Sequence, residues 1–160
     1  MVMRYFDLQT LPAMAWKNGG GVTREIVREP AGASLDDFEW RVSVADIAAA
    51  GPFSRVVGID RHLLLLEGDG VNLSSDEAGL NVNLLADDTV LAFSGDVDMN
   101  SELLGGAVRD FNVMVKRGVW QARVKVWTEA GSVQAQAGLI LQTGGQARCS
   151  FADGDATFTT

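Results

Sequence analysis

Six polar side chains in this sequence could grip a small anion between them: Lys17, Asn18, Arg41, Ser43, Arg61 and Asn112. An arginine holds a carboxylate through two parallel hydrogen bonds, and a lysine acts as a point charge. Asparagine and serine add neutral donors. Trp16, Trp40 and Phe111 stand close to them in the sequence and would supply apolar walls. Such a set suits a small organic acid, and it is better equipped to bind than to move protons or attack bonds.

The rest of the chemistry is sparse. His62 is the only histidine, so a His-rich metal site is impossible, and no carboxylate spacing replaces it. No metal and no cofactor is expected. A Ser-His-Asp triad would have to use His62, which has no nucleophile motif nearby and reads as a strand-edge histidine. Cys149 lies in an alternating run, Ala147 to Phe151, and reads as a small core residue. The 21 carboxylates include no pair that stands out by spacing, so no catalytic residue is assigned.

Lys17 and Asn18 sit in Trp16-Lys17-Asn18-Gly19-Gly20-Gly21, ahead of a strand-like Val22-Thr23-Arg24-Glu25-Ile26. The spacing is not that of a phosphate-binding P-loop. Two readings stay open. The glycines could let an anion approach the backbone beside Lys17 and Asn18. Equally, they could make a tight bend before a strand, with Lys17 solvated.

The elements that must position these residues are strands. Turn signals recur at short intervals, among them Gly51-Pro52-Phe53-Ser54, Glu67-Gly68-Asp69-Gly70 and Ser94-Gly95-Asp96. The segments between them are short and apolar or alternating, which predicts an all-β sandwich or barrel. Trp40, Val42 and Val44 oppose Arg41, Ser43 and Ala45. Phe111, Val113 and Val115 oppose Asp110, Asn112, Met114 and Lys116. The polar faces would either line the inside of a barrel or be solvated. Leu63 to Leu66 reads as a strand buried on both faces. Val119 to Trp127 and Val133 to Leu141 read as further strands, and Asp46 to Ala50 as one helical turn.

Bulk properties narrow the class. The 160 residues are 47% hydrophobic, enough for a core, with a net charge of −8. No basic tract suits nucleic acid or an anionic membrane. No run approaches the roughly 18 apolar residues of a membrane span. A lone cysteine and the lack of an apolar leader fit a cytoplasmic protein.

Taken in order, the motifs resemble the HutD/Ves family. They are the Trp16–Ile26 segment, Trp40-Arg41-Val42-Ser43-Val44-Ala45, Gly51-Pro52-Phe53-Ser54, Gly58-Ile59-Asp60-Arg61, Leu65 to Gly70, Phe93-Ser94-Gly95-Asp96 and Asp110-Phe111-Asn112 with Met114. The resemblance implies a cupin-like β-barrel or sandwich, a bicupin with two halves in one chain. Residues 1–118 would form the first half, and residues 119–160 part of a second half packed on it. Because Ala156 to Thr160 stops in mid-strand, the second half is expected to be short or truncated. The implied role is regulatory: binding a metabolite of histidine breakdown such as N-formylglutamate. Metal-dependent cupins need several histidines, so this one would be metal-free. A homodimer is a reasonable assembly, closed two-fold pairs being the commonest. Two other classes stay open. One is a metal-free enzyme on the same anion, with Asp110 or Glu67 as acid/base. The other is a protein-interaction module that uses strand edges.

Overall fold

A computed structural model describes residues 4–135, 137–144, 146–151 and 154–159. Among these there are twelve strands and no helix. They are β1 (Ala13–Ala15), β2 (Gly21–Glu29), β3 (Trp40–Ile47), β4 (Gly51–Phe53), β5 (Ile59–Glu67), β6 (Val71–Ser75), β7 (Leu80–Leu84), β8 (Val90–Ser94), β9 (Met99–Leu103), β10 (Val108–Lys116), β11 (Gln146–Phe151) and β12 (Gly154–Thr159). The expected all-β class holds. One compact unit runs from Phe6 to Val126, past the last sequence motif; a smaller one includes the stretch from Trp127 onward, with the β11–β12 hairpin.

Within the larger unit the strands form two antiparallel sheets. One has the order β1-β2-β3-β10-β5-β8, the other β4-β9-β6-β7. Period-two alternation decides what lies between them. Ile47, Leu63, Leu65 and Val108 from the first sheet pack with Phe53, Val71, Leu73, Leu84 and Met99 from the second. Ile47, Leu63, Val71, Leu73 and Leu84 are wholly buried. Each such side chain contributes about 1.5–3 kcal/mol through burial.

The other face of the larger sheet carries an ion-pair ladder across four strands. Arg24 Nη1 meets Asp46 Oδ2 at 2.9 Å, Arg109 Nε meets Asp46 Oδ1 at 2.6 Å, and Arg109 Nη1 meets Glu67 Oε1 at 3.2 Å. Burial pushes the Asp46 carboxyl up, but the hydrogen bonds and charges of Arg109 and Arg24 outweigh it and hold its pKa below the usual value.

Three expectations fail here. Asp46 and Ile47 end β3 rather than starting a helical turn, and residues 48–50 form a loop. Ala48 and Ala49 instead donate their amides to the Gly20 carbonyl, at 2.8 and 3.1 Å. Residues 119–127 are turn and irregular chain, not a strand. So are 133–135 and 137–141, while Gln136 and Thr160 lie outside the described residues. Alternating apolar residues alone do not make a strand; a paired neighbour must take up the backbone groups.

Candidate functional site

The polar face of the larger sheet points to the interior of the two-sheet unit. Register fixes this. Asn112 pairs with Ser43 and with Leu63, and Met114 pairs with Arg41 and with Arg61. Arg41, Ser43, Arg61, Asp110 and Asn112 therefore share one face with the core residues Leu63 and Leu65. Ser43 is 2% exposed, Arg61 5%, Asp110 2% and Asn112 8%. Of the two positions open for these faces, the interior one is the one adopted.

Arg61 is the centre of this cluster. Its guanidinium lies 5.3 Å from the Phe53 ring centroid and 5.1 Å from that of Phe93. Two such rings attract the cation through their negative faces. Trp16 meets Phe53 edge-on at 6.3 Å, extending the aromatic wall. Arg61 Nη1 donates to the Ser54 carbonyl at 3.2 Å, while Nε is buried without a hydrogen-bond partner among the described residues. Burial pulls its pKa down to about 10, with Asp110 opposing the shift and Arg41 adding to it. It stays charged at neutral pH.

Asp110 Oδ1 and Asn112 Oδ1 are likewise buried and unpartnered among the described residues. Desolvation pushes the Asp110 carboxyl up to about 7, against the pull of Arg61 and with a push from Asp46. Three buried polar atoms of mixed donor and acceptor character thus share one sheet face. Buried polar groups are ordinarily paired, and exceptions concentrate at functional sites.

Sequence reasoning missed Glu25 and Arg28. Plain alternation would place them on opposite faces. A bulge in β2 between Glu25 and Val27 sets Glu25 against Ser43 and Arg28 against Arg41 instead. Glu25 then holds both arginines: Arg41 Nε donates to Oε2 at 2.7 Å and Arg28 Nε to Oε1 at 3.0 Å. Arg41 is thereby fixed in place and partly neutralised, and Arg61 is left as the less committed cation. Phe53 and Phe93 were also missed, because each sits next to a turn signal that gives no hint of its face.

Other expected residues fall elsewhere. Trp40 and Phe111 were expected as walls beside Arg41 and Asn112, but adjacent strand residues point to opposite faces. Phe111 lies on the far face, paired with Val44 and Leu64, and Trp40 meets Trp120 edge-on at 6.4 Å. Lys17 and Asn18 are exposed. Asn18 Oδ1 accepts from the Gly20 amide at 2.9 Å, and Trp16 Nε1 donates to Thr23 Oγ1 at 2.8 Å. The glycine-rich segment is thus a tight bend, the second of its two readings. Gly19 takes φ +72°, and a Cβ on Gly21 would strike the Asp46 carbonyl and the Trp16 ring. Gly21→Ala should cost about 1–3 kcal/mol, the usual toll of overpacking, read as a lower urea midpoint. Lys17→Ala should leave anion affinity within about twofold of the parent in calorimetry, since an exposed charge is well screened.

His62 lies in mid-strand rather than at an edge, paired with Val113 and Ala92. Burial lowers its pKa despite nearby Asp60, so the ring is neutral at pH 7. It borders an open groove of about 570 Å³ with Asp60, Trp120 and Arg123. Asp60 is already held by Arg117 Nε at 2.8 Å. Arg61 and Phe93 also line this groove; it is open to water, which weakens any charge in it, whereas Arg61 is itself almost wholly buried. Among the described residues no cluster of three or more His, Cys, Asp or Glu side chains is arranged to hold a metal, and no helix is long and apolar enough to cross a membrane.

Known proteins agree with the fold and name a lineage. The HutD family profile matches residues 8–159. An uncharacterised 21.2 kDa protein of Pseudomonas putida, from the hutC 3′ region, is 40% identical over 83% of this chain and 68% of its own length. Protein Ves of Escherichia fergusonii is 37% identical over 78% of this chain and 63% of its own. HutD from Pseudomonas fluorescens SBW25, solved in a formate condition, is 38% identical, with a TM-score of 0.62 over 68% of this chain and 58% of that one. The chain thus spans about two-thirds or less of these relatives. A cupin domain, that of Cnp3 from Schizosaccharomyces pombe, superposes at a TM-score of 0.50 with 10% identity, a likeness of fold alone. The sequence motifs, the cupin-like pair of sheets and the match over nearly the whole chain converge: this chain belongs to the HutD family.

Proposed function

We propose that the interior of the two-sheet unit binds a small carboxylate metabolite of histidine breakdown, N-formylglutamate or a close relative, and that binding serves a regulatory role. The observation that carries this reading is Arg61: a buried cation between Phe53 and Phe93 whose Nε has no partner among the described residues. A desolvated arginine with an uncommitted donor is a strong receptor for a carboxylate. The histidine-utilisation setting of the relatives supports the choice of metabolite. Arg41, Ser43 and Asn112 remain in the site. Lys17, Asn18, Trp40 and Phe111 leave it by position, and Trp16 stays as the outer part of the aromatic wall.

The same reading makes the protein a metal-free binding cupin in the cytoplasm, with residues 119–160 contributing to a second cupin-like half and a homodimer as its simplest assembly. Calorimetry against N-formylglutamate, urocanate, histidine, glutamate and formate tests it. Saturable binding of N-formylglutamate, tighter than that of the comparators, is expected. No binding of any of the five would remove the ligand class and favour a partner protein instead.

One observation favours a second reading. Asp110 is buried with a pKa near 7, the range a general acid/base needs. A metal-free enzyme acting on the same anion would show product formation that disappears in Asp110→Asn while binding persists.

A further inference from the structure

Asp110 Oδ1 poses a problem in hydrogen bonding. It is buried on the same interior face as Asn112 Oδ1, and neither atom has a donor among the described residues. An ionised carboxylate oxygen only accepts; a carboxylic acid also donates. An anion brought to Arg61 adds more acceptor oxygens to this face and places a second negative charge near Asp110. Two carboxylates in one desolvated site do not both stay ionised.

We infer that the site takes up its anion together with one proton, which comes from solvent and is held on Asp110 as the ligand binds. The inference rests on the carboxylate-binding reading above. In the free protein Asp110 exchanges this proton with water. In the complex the acid form donates from its carboxyl oxygen to a ligand oxygen, and Arg61 keeps its full charge for the ligand carboxylate. No bond is made or broken beyond the proton transfer from solvent to Asp110.

The charged groups around Asp110 can be named strand by strand. Arg61 on β5 favours the ionised form, and Asp46 on β3 favours the neutral one. Arg41 on β3 and Glu25 and Arg28 on β2 form a linked set of two positive charges and one negative. The opposite sheet presents Phe53, Val71, Leu73, Leu84, Met99 and Ser101 as buried residues, with no buried charge among those described. Arg61 is therefore the cation whose field an incoming anion would cancel, and Asp110 responds by binding a proton. The free-state carboxyl, already raised to about 7 by burial, is poised for this near neutral pH.

Calorimetric titration with N-formylglutamate, which has no group titrating near neutrality, decides the point. It is run at pH 7.5 in phosphate, HEPES and Tris, whose ionisation enthalpies differ. The parent protein should take up between about 0.5 and 0.8 proton per ligand, and its affinity should fall by up to about tenfold per pH unit between pH 7 and 8.5. Asp110→Asn, fixed in a neutral donor form, should show no uptake and a flat profile. Binding by the parent with no uptake and no pH dependence overturns the inference and leaves the proposed function standing. Uptake that persists in Asp110→Asn also overturns it. Failure of N-formylglutamate and formate to bind the parent anywhere from pH 5.5 to 8.5 removes the proposed function and the inference with it. Should Asp110→Asn not fold, the buffer series on the parent protein decides alone.

Discussion

Arg61→Met should lose anion binding and keep its fold. The methionine stem fills much of the space between Phe53 and Phe93 that the arginine occupies, and it packs well against aromatic edges. What disappears is the charge and the free Nε donor. A hydrogen bond to a charged group is worth about 1.5–3 kcal/mol, so affinity for N-formylglutamate should drop by a factor of about 10 to 150. Stability should change by less than affinity. The methionine removes the desolvation cost of a buried cation with an unpartnered nitrogen, but it also takes from Asp110 the charge that favours its ionised form and from the Ser54 carbonyl its donor, and these effects offset. Calorimetry and urea unfolding on the same preparation separate the two effects. If stability fell by several kcal/mol while affinity stayed unchanged, Arg61 would be a structural residue and the site would lie elsewhere.

Much of this arrangement was legible before the structure, and the parts that were not have physical causes. Turn spacing and period-two patterning were enough for the all-β class. They also put Arg41 with Ser43 and Asn112 with Met114 on shared faces, because each lies within one strand, where alternation is strict. Two kinds of information were out of reach. The first is the bulge in β2, which breaks the alternation and brings Glu25 and Arg28 beside Arg41. The second is contact between distant segments, such as Phe53 and Phe93 against Arg61, where nothing local marks which ring will face the cation. Trp40 and Phe111 were misplaced for a simpler reason: neighbours in a strand are close in sequence and opposite in direction. Lys17 and Asn18 are exposed, although a glycine-rich loop with a cation has the composition of an anion site. The Trp16 ring, the Asn18 side chain and the Gly20 carbonyl instead tie that loop to its own strand and to residues 48–49.

Asp110→Asn should flatten the dependence of stability on pH and make the protein more stable than its parent above neutrality. The sign follows from proton counts. Desolvation raises the folded carboxyl to about 7 from an ordinary 3.8, against the pull of Arg61. Between those values the folded state binds more protons than the unfolded one, so stability falls as pH rises through the window from about 4 to about 7. The contribution is fully present below pH 4 and lost above pH 7. At 1.36 kcal/mol per unit, a shift of this size amounts to about 4 kcal/mol across the window, an upper figure because a buried site relaxes when it ionises. An asparagine cannot ionise, and its amide can donate where the acid did. The variant should therefore match the parent near pH 4.5 and exceed it by a few kcal/mol at pH 8 in urea unfolding. Asp46 acts in the opposite direction, its lowered pKa favouring the folded state above pH 4, but it is present in both proteins and cancels in the difference. Parallel pH profiles for the two proteins would mean that Asp110 ionises freely in the folded state. The interior would then already hold a counter-charge for it, and Arg61 would have less of its own charge to offer an incoming anion.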